Sequence, residues 1–140
     1  MDAPAPRHGI IRAQIDVERM RREARSLAAS LGFAVHDAES TALAASELAT
    51  NVLRYAPGGE IAVVAIVDEK AIGIAIRSED SGPGIADVKL ALQDGFSTGG
   101  GLGSGLPAVR RLMDHLTVQT GPLGTTIEAR KWLIPPSRLP

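Results

Sequence analysis

The sequence predicts an α+β fold: a two-layer α/β sandwich in which helices cover one face of a mostly antiparallel sheet. Three observations point there. Short β-branched runs come in pairs joined by tight charged or glycine-bearing turns, the pattern of antiparallel hairpins. A stretch from about His36 to Tyr55 repeats apolar residues at helical spacing. The elements fall in the order β-α-α-β-β-loop-α-β-β, with no internal repeat.

Taken in chain order, residues 1–7 are rich in proline and alanine and are expected to be flexible. Ile10–Ile15 reads as a first strand. Asp16 is suited to cap a helix that runs to about Leu31 and stops at Gly32. That helix begins acidic, with Asp16 and Glu18, and turns basic at Arg19, Arg21, Arg22 and Arg25. Those arginines fit a solvated face; a partner-docking surface is the sharper reading. In the second helix, Ala38, Thr41, Ala45, Leu48, Ala49 and Val52 share one face, and Glu47, Asn51 and Arg54 fall on the other. Small alanines on the buried side let such a helix lie close to a sheet. Ala56-Pro57-Gly58-Gly59 ends it.

Glu60–Val67 and Ala71–Ser78 follow as two strands around the turn Asp68-Glu69-Lys70. A glycine-rich segment leads into a helix from about Leu106 to Asp114. Leu116–Thr120 and Thr125–Trp132 then flank the turn Gly121-Pro122-Leu123-Gly124, and residues 135–140, with three prolines, form a short tail.

Composition narrows the function. A chain of 140 residues builds one domain with a single core. One Trp, one Tyr and two Phe cannot supply a stacking platform for single-stranded nucleic acid. A net charge of -1 without a long basic run argues against a phosphate-backbone binder. The absence of cysteine removes disulfides, thiolate zinc sites and a cysteine nucleophile, and fits a cytoplasmic setting. Met1–Pro6 lacks the apolar core of a signal peptide, and no apolar run approaches membrane length.

Three segments carry chemistry. Glu47 and Asn51 are four apart and stack on one helical face. An Asn amide oxygen is a hard ligand suited to Mg²⁺, and a carboxylate one turn away can orient or deprotonate a nucleophile. By itself the pair also fits a solvated helix face. Asp80 ends a strand and precedes Gly82 and Gly84, so its carboxylate can accept the exocyclic amine of adenine while the glycines let the backbone pass close to a base. An ordinary Asp-Ser-Gly turn has the same sequence. Gly99, Gly100, Gly101, Gly103 and Gly105, interleaved with Leu102 and Ser104, offer successive N–H groups as an anion nest opening onto a helix start at Leu106-Pro107. The alternative is a disordered linker. The segment has neither the P-loop spacing nor the position of a dinucleotide fingerprint. His8, His36 and His115 are scattered over different elements and read as surface or packing residues, and no Gly-x-Ser-x-Gly elbow occurs.

In this order the motifs resemble the GHKL (Bergerat-fold) ATPase superfamily of gyrase B, Hsp90, sensor histidine kinases and MutL. Glu47–Asn51 resembles its N box, Asp80–Gly84 its first glycine box, Gly101–Gly105 its lid box and Gly124-Thr125 its final box. The resemblance is closer to the RsbT-type serine/threonine kinases of bacterial partner-switching pathways. It is carried by Ser46–Asn51, Glu79–Ile85, Asp94–Thr98, Gly100–Pro107, Arg111–Asp114, Gly124-Thr125 and Lys131-Trp132. It extends from about Ile10 to Leu133.

The resemblance implies one ATPase/serine kinase domain over residues 8–134. It implies Glu47 as catalytic base, Asn51 as Mg²⁺ ligand, and Asp80 on adenine with Thr125 supporting it through water. Gly82 and Gly84 would frame the base, and Gly101, Leu102, Gly103, Ser104 and Gly105 would wrap the phosphates of ATP. It also implies a protein substrate, a STAS-domain antagonist, and a second partner such as a PP2C-type phosphatase or a sigma factor. An anti-sigma factor of the same fold and a non-catalytic nucleotide-gated adaptor are the competing readings. A homodimer built on the first strand and helix is compatible with the chain.

Overall fold

The computed structural model describes residues 3–85, 88, 92 and 105–136. Its elements are β1 (Arg7–Ile11), α1 (Gln14–Leu31), α2 (Val35–Tyr55), β2 (Gly59–Val67), β3 (Ile72–Asp80), α3 (Gly105–Leu112), β4 (His115–Gly121) and β5 (Gly124–Ile134). The five strands form one sheet in the order β1-β2-β3-β5-β4, with every neighbouring pair antiparallel. The α+β sandwich expected from the sequence is therefore the fold.

The first strand and helix differ in phase from the sequence expectation. β1 ends at Ile11 rather than Ile15, because Asp16 turns the chain early. Its Oδ2 accepts the backbone N–H groups of both Arg12 and Ala13 at 2.9 Å. Ala13, in an extended conformation, is the N-cap, and Asp16 sits at the third helical position instead of capping the helix itself. This satisfies two donors at once and places a negative charge at the positive end of α1. Those two backbone hydrogen bonds hold the Asp16 carboxyl below its ordinary pKa. At the other end, Gly32 and Phe33 donate to Ala29 and Ala28, and the helix stops where the sequence places the stop. Arg7 opens β1, pairing with Val63, and its guanidinium binds Glu23 of α1.

The core lies between the sheet and the helices. Met20 and Leu27 from α1 and Leu48 and Val52 from α2 meet Ile61, Val63, Ile74, Ile76, Ile127 and Ala129 from the sheet. Each fully buried Leu or Ile of this set contributes about 1.5–3 kcal/mol of apolar transfer energy. All six residues expected on the apolar face of α2 are buried, and Ser40, Ala42 and Ala44 join them. The buried arc is wider than one stripe because α2 is the central helix, packed against α1, α3 and the sheet.

Candidate nucleotide site

Where β3 ends, the hydrogen-bond register lines up Gly59, Asp80, Thr125 and Thr120 across β2, β3, β5 and β4. Side chains alternate along a strand, so Asp80 points to the same side as buried Ser78 and Ile76, towards the helices. Thr125 shares that side with Ile127, and Thr120 with Val118. The row closes the sheet end of a cleft whose other wall is α2.

Asp80 Oδ1 accepts the N–H of Gly82 at 2.9 Å, an Asx-turn that fixes the carboxylate at the strand tip. Among the described residues no donor is bonded to its Oδ2. The turn then locks into the β4–β5 hairpin. Thr120 Oγ1 accepts the N–H of Ile85 at 2.8 Å and lies 2.8 Å from Thr125 Oγ1. Gly84 has a φ of 87°, and a Cβ on it would strike the carbonyl oxygen of Gly121. A Cβ on Gly124 would likewise strike the carbonyl oxygen of Asp80. Both positions need glycine because two backbones touch there.

The opposite wall carries Glu47, Asn51 and Arg54 at i, i+4 and i+7 of α2. Glu47 and Asn51 are half-buried and Arg54 is exposed. The sequence put all three on the face away from the core; α3 packs on α2, and its first residue, Gly105, lies against Asn51. Among the described residues, none of the three side chains has a hydrogen-bond or ion-pair partner. Gly105, the first residue of α3, sits against Asn51: a methyl added to it would lie 3.5 Å from Oδ1. The start of α3, where a helix leaves N–H groups without intrahelical acceptors, therefore lies beside the Asn51 amide. At the end of α2, the carbonyl of Tyr55 would lie 3.1 Å from a methyl on Gly82. One helix thus touches both the carboxylate turn and the start of α3.

The other end of α3 is clasped to β5. Lys131 Nζ donates to the carbonyl of Leu112 at 2.9 Å and lies 3.8 Å from an Asp37 oxygen at the start of α2. Asp114 donates its N–H to the carbonyl of Arg130, and its Oδ2 accepts the N–H of Trp132, both at 2.8 Å. These bonds give Leu112, Asp114, Lys131 and Trp132 a shared task. They fix the tilt of α3, and so the place of Gly105.

Gly101, Leu102, Gly103 and Ser104 lie outside the described residues, as do residues 93–100. Of the expected site, Asp80, Gly82, Gly84 and Thr125 lie together at the strand ends beside the last turn of α2, Gly105 lies against Asn51, and Glu47 is one turn before Asn51 on the same helix. Sequence reasoning assigned no role to Arg54 or Thr120. The heptad spacing from Glu47 was the available signal for Arg54; nothing local marked Thr120. His8 pairs with Glu60 at 3.0 Å on the surface, far in the chain from His36 and His115, which are also exposed. A cavity of about 430 Å³ lined by Asp68, Glu69, Lys70, Ala71 and Pro136 lies at the far turn of β2–β3 and contains no site residue.

The donor set fits a magnesium nucleotide. Among the described residues no three His, Asp or Glu side chains converge, so a cation here has no protein cage. Mg²⁺ commonly takes one or two protein oxygens and completes its shell with phosphate and water. The unpartnered Asn51 amide provides such an oxygen. A carboxylate with one oxygen unbonded among the described residues suits an exocyclic amine.

Comparison with known proteins agrees on an ATPase domain. Residues 12–131 match the family described as histidine kinase-like ATPase domain. The chain is 43% identical over 124 residues, 88% of this chain and 93% of the other, to the serine/threonine-protein kinase RsbT of Bacillus subtilis. In fold it is similar to a crystal structure of the RsbU and RsbW domains of a Mycobacterium tuberculosis protein. That match has a TM-score of 0.66 at 19% identity and covers 98% of this chain and 35% of the other. It is also similar to the mycobacterial sensor histidine kinase MprB, with a TM-score of 0.57 at 18% identity, over 93% of this chain and 99% of that one. The chain belongs to the histidine kinase-like ATPase family, on its branch of RsbT-type serine/threonine-protein kinases.

Proposed function

We propose that this chain transfers the γ-phosphoryl group of ATP to a serine or threonine of a STAS-domain antagonist in a bacterial partner-switching pathway. One observation carries the reading. Asn51, one turn after Glu47 on α2, lies against the first residue of α3, and the last turn of the same helix lies against the Gly82 turn beside Asp80 and Thr125. In this reading the base lies at the Asp80 side of the last turns of α2 and the phosphates at the Asn51 side.

Asp80 accepts the exocyclic amine of adenine, and Thr125 contacts the same edge, directly or through one water. The N–H groups of Gly105 and its neighbours meet phosphate oxygens, favoured by the positive end of α3. Asn51 would hold Mg²⁺, which when bound offsets charge on the phosphates. Arg54, one turn further on and without an ion-pair partner among the described residues, brings a guanidinium to the same end of the helix. Glu47 takes the proton of the attacking hydroxyl. A bond forms between that oxygen and the γ-phosphorus, the bond to the bridging oxygen breaks, and ADP leaves with the electron pair. Catalysis is then mostly positioning and charge stabilisation. Gly101, Leu102, Gly103 and Ser104 complete the phosphate wrap in this reading.

Once modified, the antagonist is released, and the kinase engages a second partner, a PP2C-type phosphatase or a sigma factor. Among the described residues no helix is long and apolar enough to cross a membrane. The proposed setting is the cytoplasm, where ATP and both partners are available. The test is transfer of radiolabelled phosphate from ATP to a STAS-domain protein encoded beside this chain. Stoichiometric labelling of one Ser or Thr supports the reading. Tight binding of a sigma factor with no labelling would replace it with sequestration.

A further inference from the structure

On β5 the side chains of Thr125, Ile127 and Ala129 are buried against the helices, and strand alternation puts Lys131 next on that side. β5 lies between β3 and β4, so a lysine stands on the core side of an interior strand. Its side chain is 14% exposed, and its ammonium lies between two helix ends. Nζ donates to the carbonyl of Leu112, the last residue of α3, at 2.9 Å, and lies 3.8 Å from Oδ1 of Asp37 in the first turn of α2. A methionine of similar length would fill this place without desolvating a charge. The lysine therefore supplies something that packing does not need: a directed bond to an otherwise orphaned carbonyl at the negative end of α3.

α3 runs back along α2, since Gly105 lies against Asn51 while Leu112 is joined through Lys131 to Asp37. The turn after α3 is anchored separately, by the N–H of Asp114 on Arg130 and the N–H of Trp132 on Asp114 Oδ2. Those bonds grip the chain beyond the helix and leave it a pivot. Leu106 and Val109 hold α3 to the core by apolar contact, which resists separation but sets no direction. Lys131 acts on the helix itself. Eight residues make a rod about 12 Å long, so a swing of about 10° at Leu112 carries Gly105 by about 2 Å. A misplacement of about 1 Å in a positioned group can already cost about a hundredfold in rate.

We propose that Lys131 is a positioning residue for the triphosphate: by holding the last carbonyl of α3, it keeps the first turn of that helix against Asn51. This rests on the assignment of the cleft to ATP, with its phosphates at the start of α3. The base end lies outside its reach, because Asp80 and Thr125 are fixed by strand pairing and by the Gly82 turn. Lys131 therefore governs how much the phosphates add to binding, and not how the adenosine part is held.

The experiment is calorimetric titration of wild type, Lys131→Met, Lys131→Gln and Lys131→Arg with Mg·ATP and with adenosine. Circular dichroism checks that each is folded. In Lys131→Met the Mg·ATP affinity falls about tenfold, the scale of phosphate contacts at a helix start, while adenosine affinity stays within about twofold. Lys131→Gln, whose amide falls short of the Leu112 carbonyl, shows the same selective loss and serves if Met does not fold. Lys131→Arg can still donate to that carbonyl and keeps most of the wild-type ratio. Equal losses for both ligands, no loss for either, or an Arg variant no better than Met overturn the positioning role and leave the ATP assignment intact. So does unfolding of both the Met and Gln variants, since Lys131 would then serve stability alone. Wild-type protein that binds adenosine as tightly as Mg·ATP removes the phosphates from α3, and the proposal with them. Binding of neither ligand at millimolar concentration brings down the ATP assignment itself.

Discussion

Replacing Asp80 by asparagine is the sharpest probe of the site, because the structure fixes what the change costs. Oδ1 is committed to the N–H of Gly82 at 2.9 Å, and Oδ2 is the oxygen left for a ligand. An amide has one oxygen and one NH₂ group. If its oxygen stays on Gly82, the NH₂ faces the adenine amine, donor against donor. If it flips, the clash moves to Gly82 and the turn opens. Either way one hydrogen bond is lost and two donors are left opposed. The hydrogen bond removed was to a charged acceptor, worth about 1.5–3 kcal/mol, and the stranded donor adds about 1 kcal/mol or more. The sum, about 2.5–4 kcal/mol, corresponds to an ATP affinity lower by about 60- to 1,000-fold. Isothermal titration or a fluorescent ATP analogue measures it directly, with the thermal midpoint as a check that the fold is kept. An affinity within threefold of wild type would show that the carboxylate does not hold the base.

Three further outcomes follow from the same geometry. Glu47→Ala should abolish phosphotransfer to a protein substrate while nucleotide affinity stays within a few-fold; wild-type transfer rates would remove the carboxylate from the reaction. Gly84→Val must adopt a φ of 87° and place a Cβ against the Gly121 carbonyl. That costs about 2 kcal/mol or more, lowering the thermal midpoint by roughly 6 °C or more, and an unchanged midpoint would contradict the interlock of the two loops. Asp16 is more acidic folded than unfolded, owing to the Arg12 and Ala13 N–H groups. Its stabilisation is therefore present above the unfolded value of about 3.9 and fades as pH falls through the lower folded value. The midpoint difference between wild type and Asp16→Asn should accordingly be largest near neutrality and close up in acid. A difference that is constant down to pH 2 would exclude this origin.

Much of this could be read before any coordinates. The apolar face of α2 was legible because Ala38, Thr41, Ala45, Leu48, Ala49 and Val52 recur at helical spacing. The Gly32 stop was legible from one residue, and the hairpins from their β-branched runs. The start of α1 was misplaced by a few residues. Asp16 looks like a cap in sequence, but at the third helical position its carboxylate reaches backward and accepts the N–H groups of Arg12 and Ala13, which precede the helix. Thr120 was invisible for a different reason. Its importance comes from register, which sets it opposite Thr125 and within reach of Ile85, 35 residues earlier in the chain. The clasp of α3 by Lys131 is equally non-local. Residue type told what could bind a nucleotide; only strand pairing told which neighbours hold those residues still.

The alanine lining of α2 has a consequence for how this enzyme could be altered. Ala44, Ala45 and Ala49 are fully enclosed, so their methyl groups set the stand-off between the helix and its surroundings. Glu47 and Asn51 ride on that same rigid rod. Any bulkier side chain beneath it would displace the proposed proton acceptor and the proposed metal ligand together, as a jack lifts both wheels on one axle. Base selection, anchored in the strands, would stay where it is. Recognition and turnover can thus be tuned apart, one through the β-layer and the other through the thickness of the layer beneath the helix.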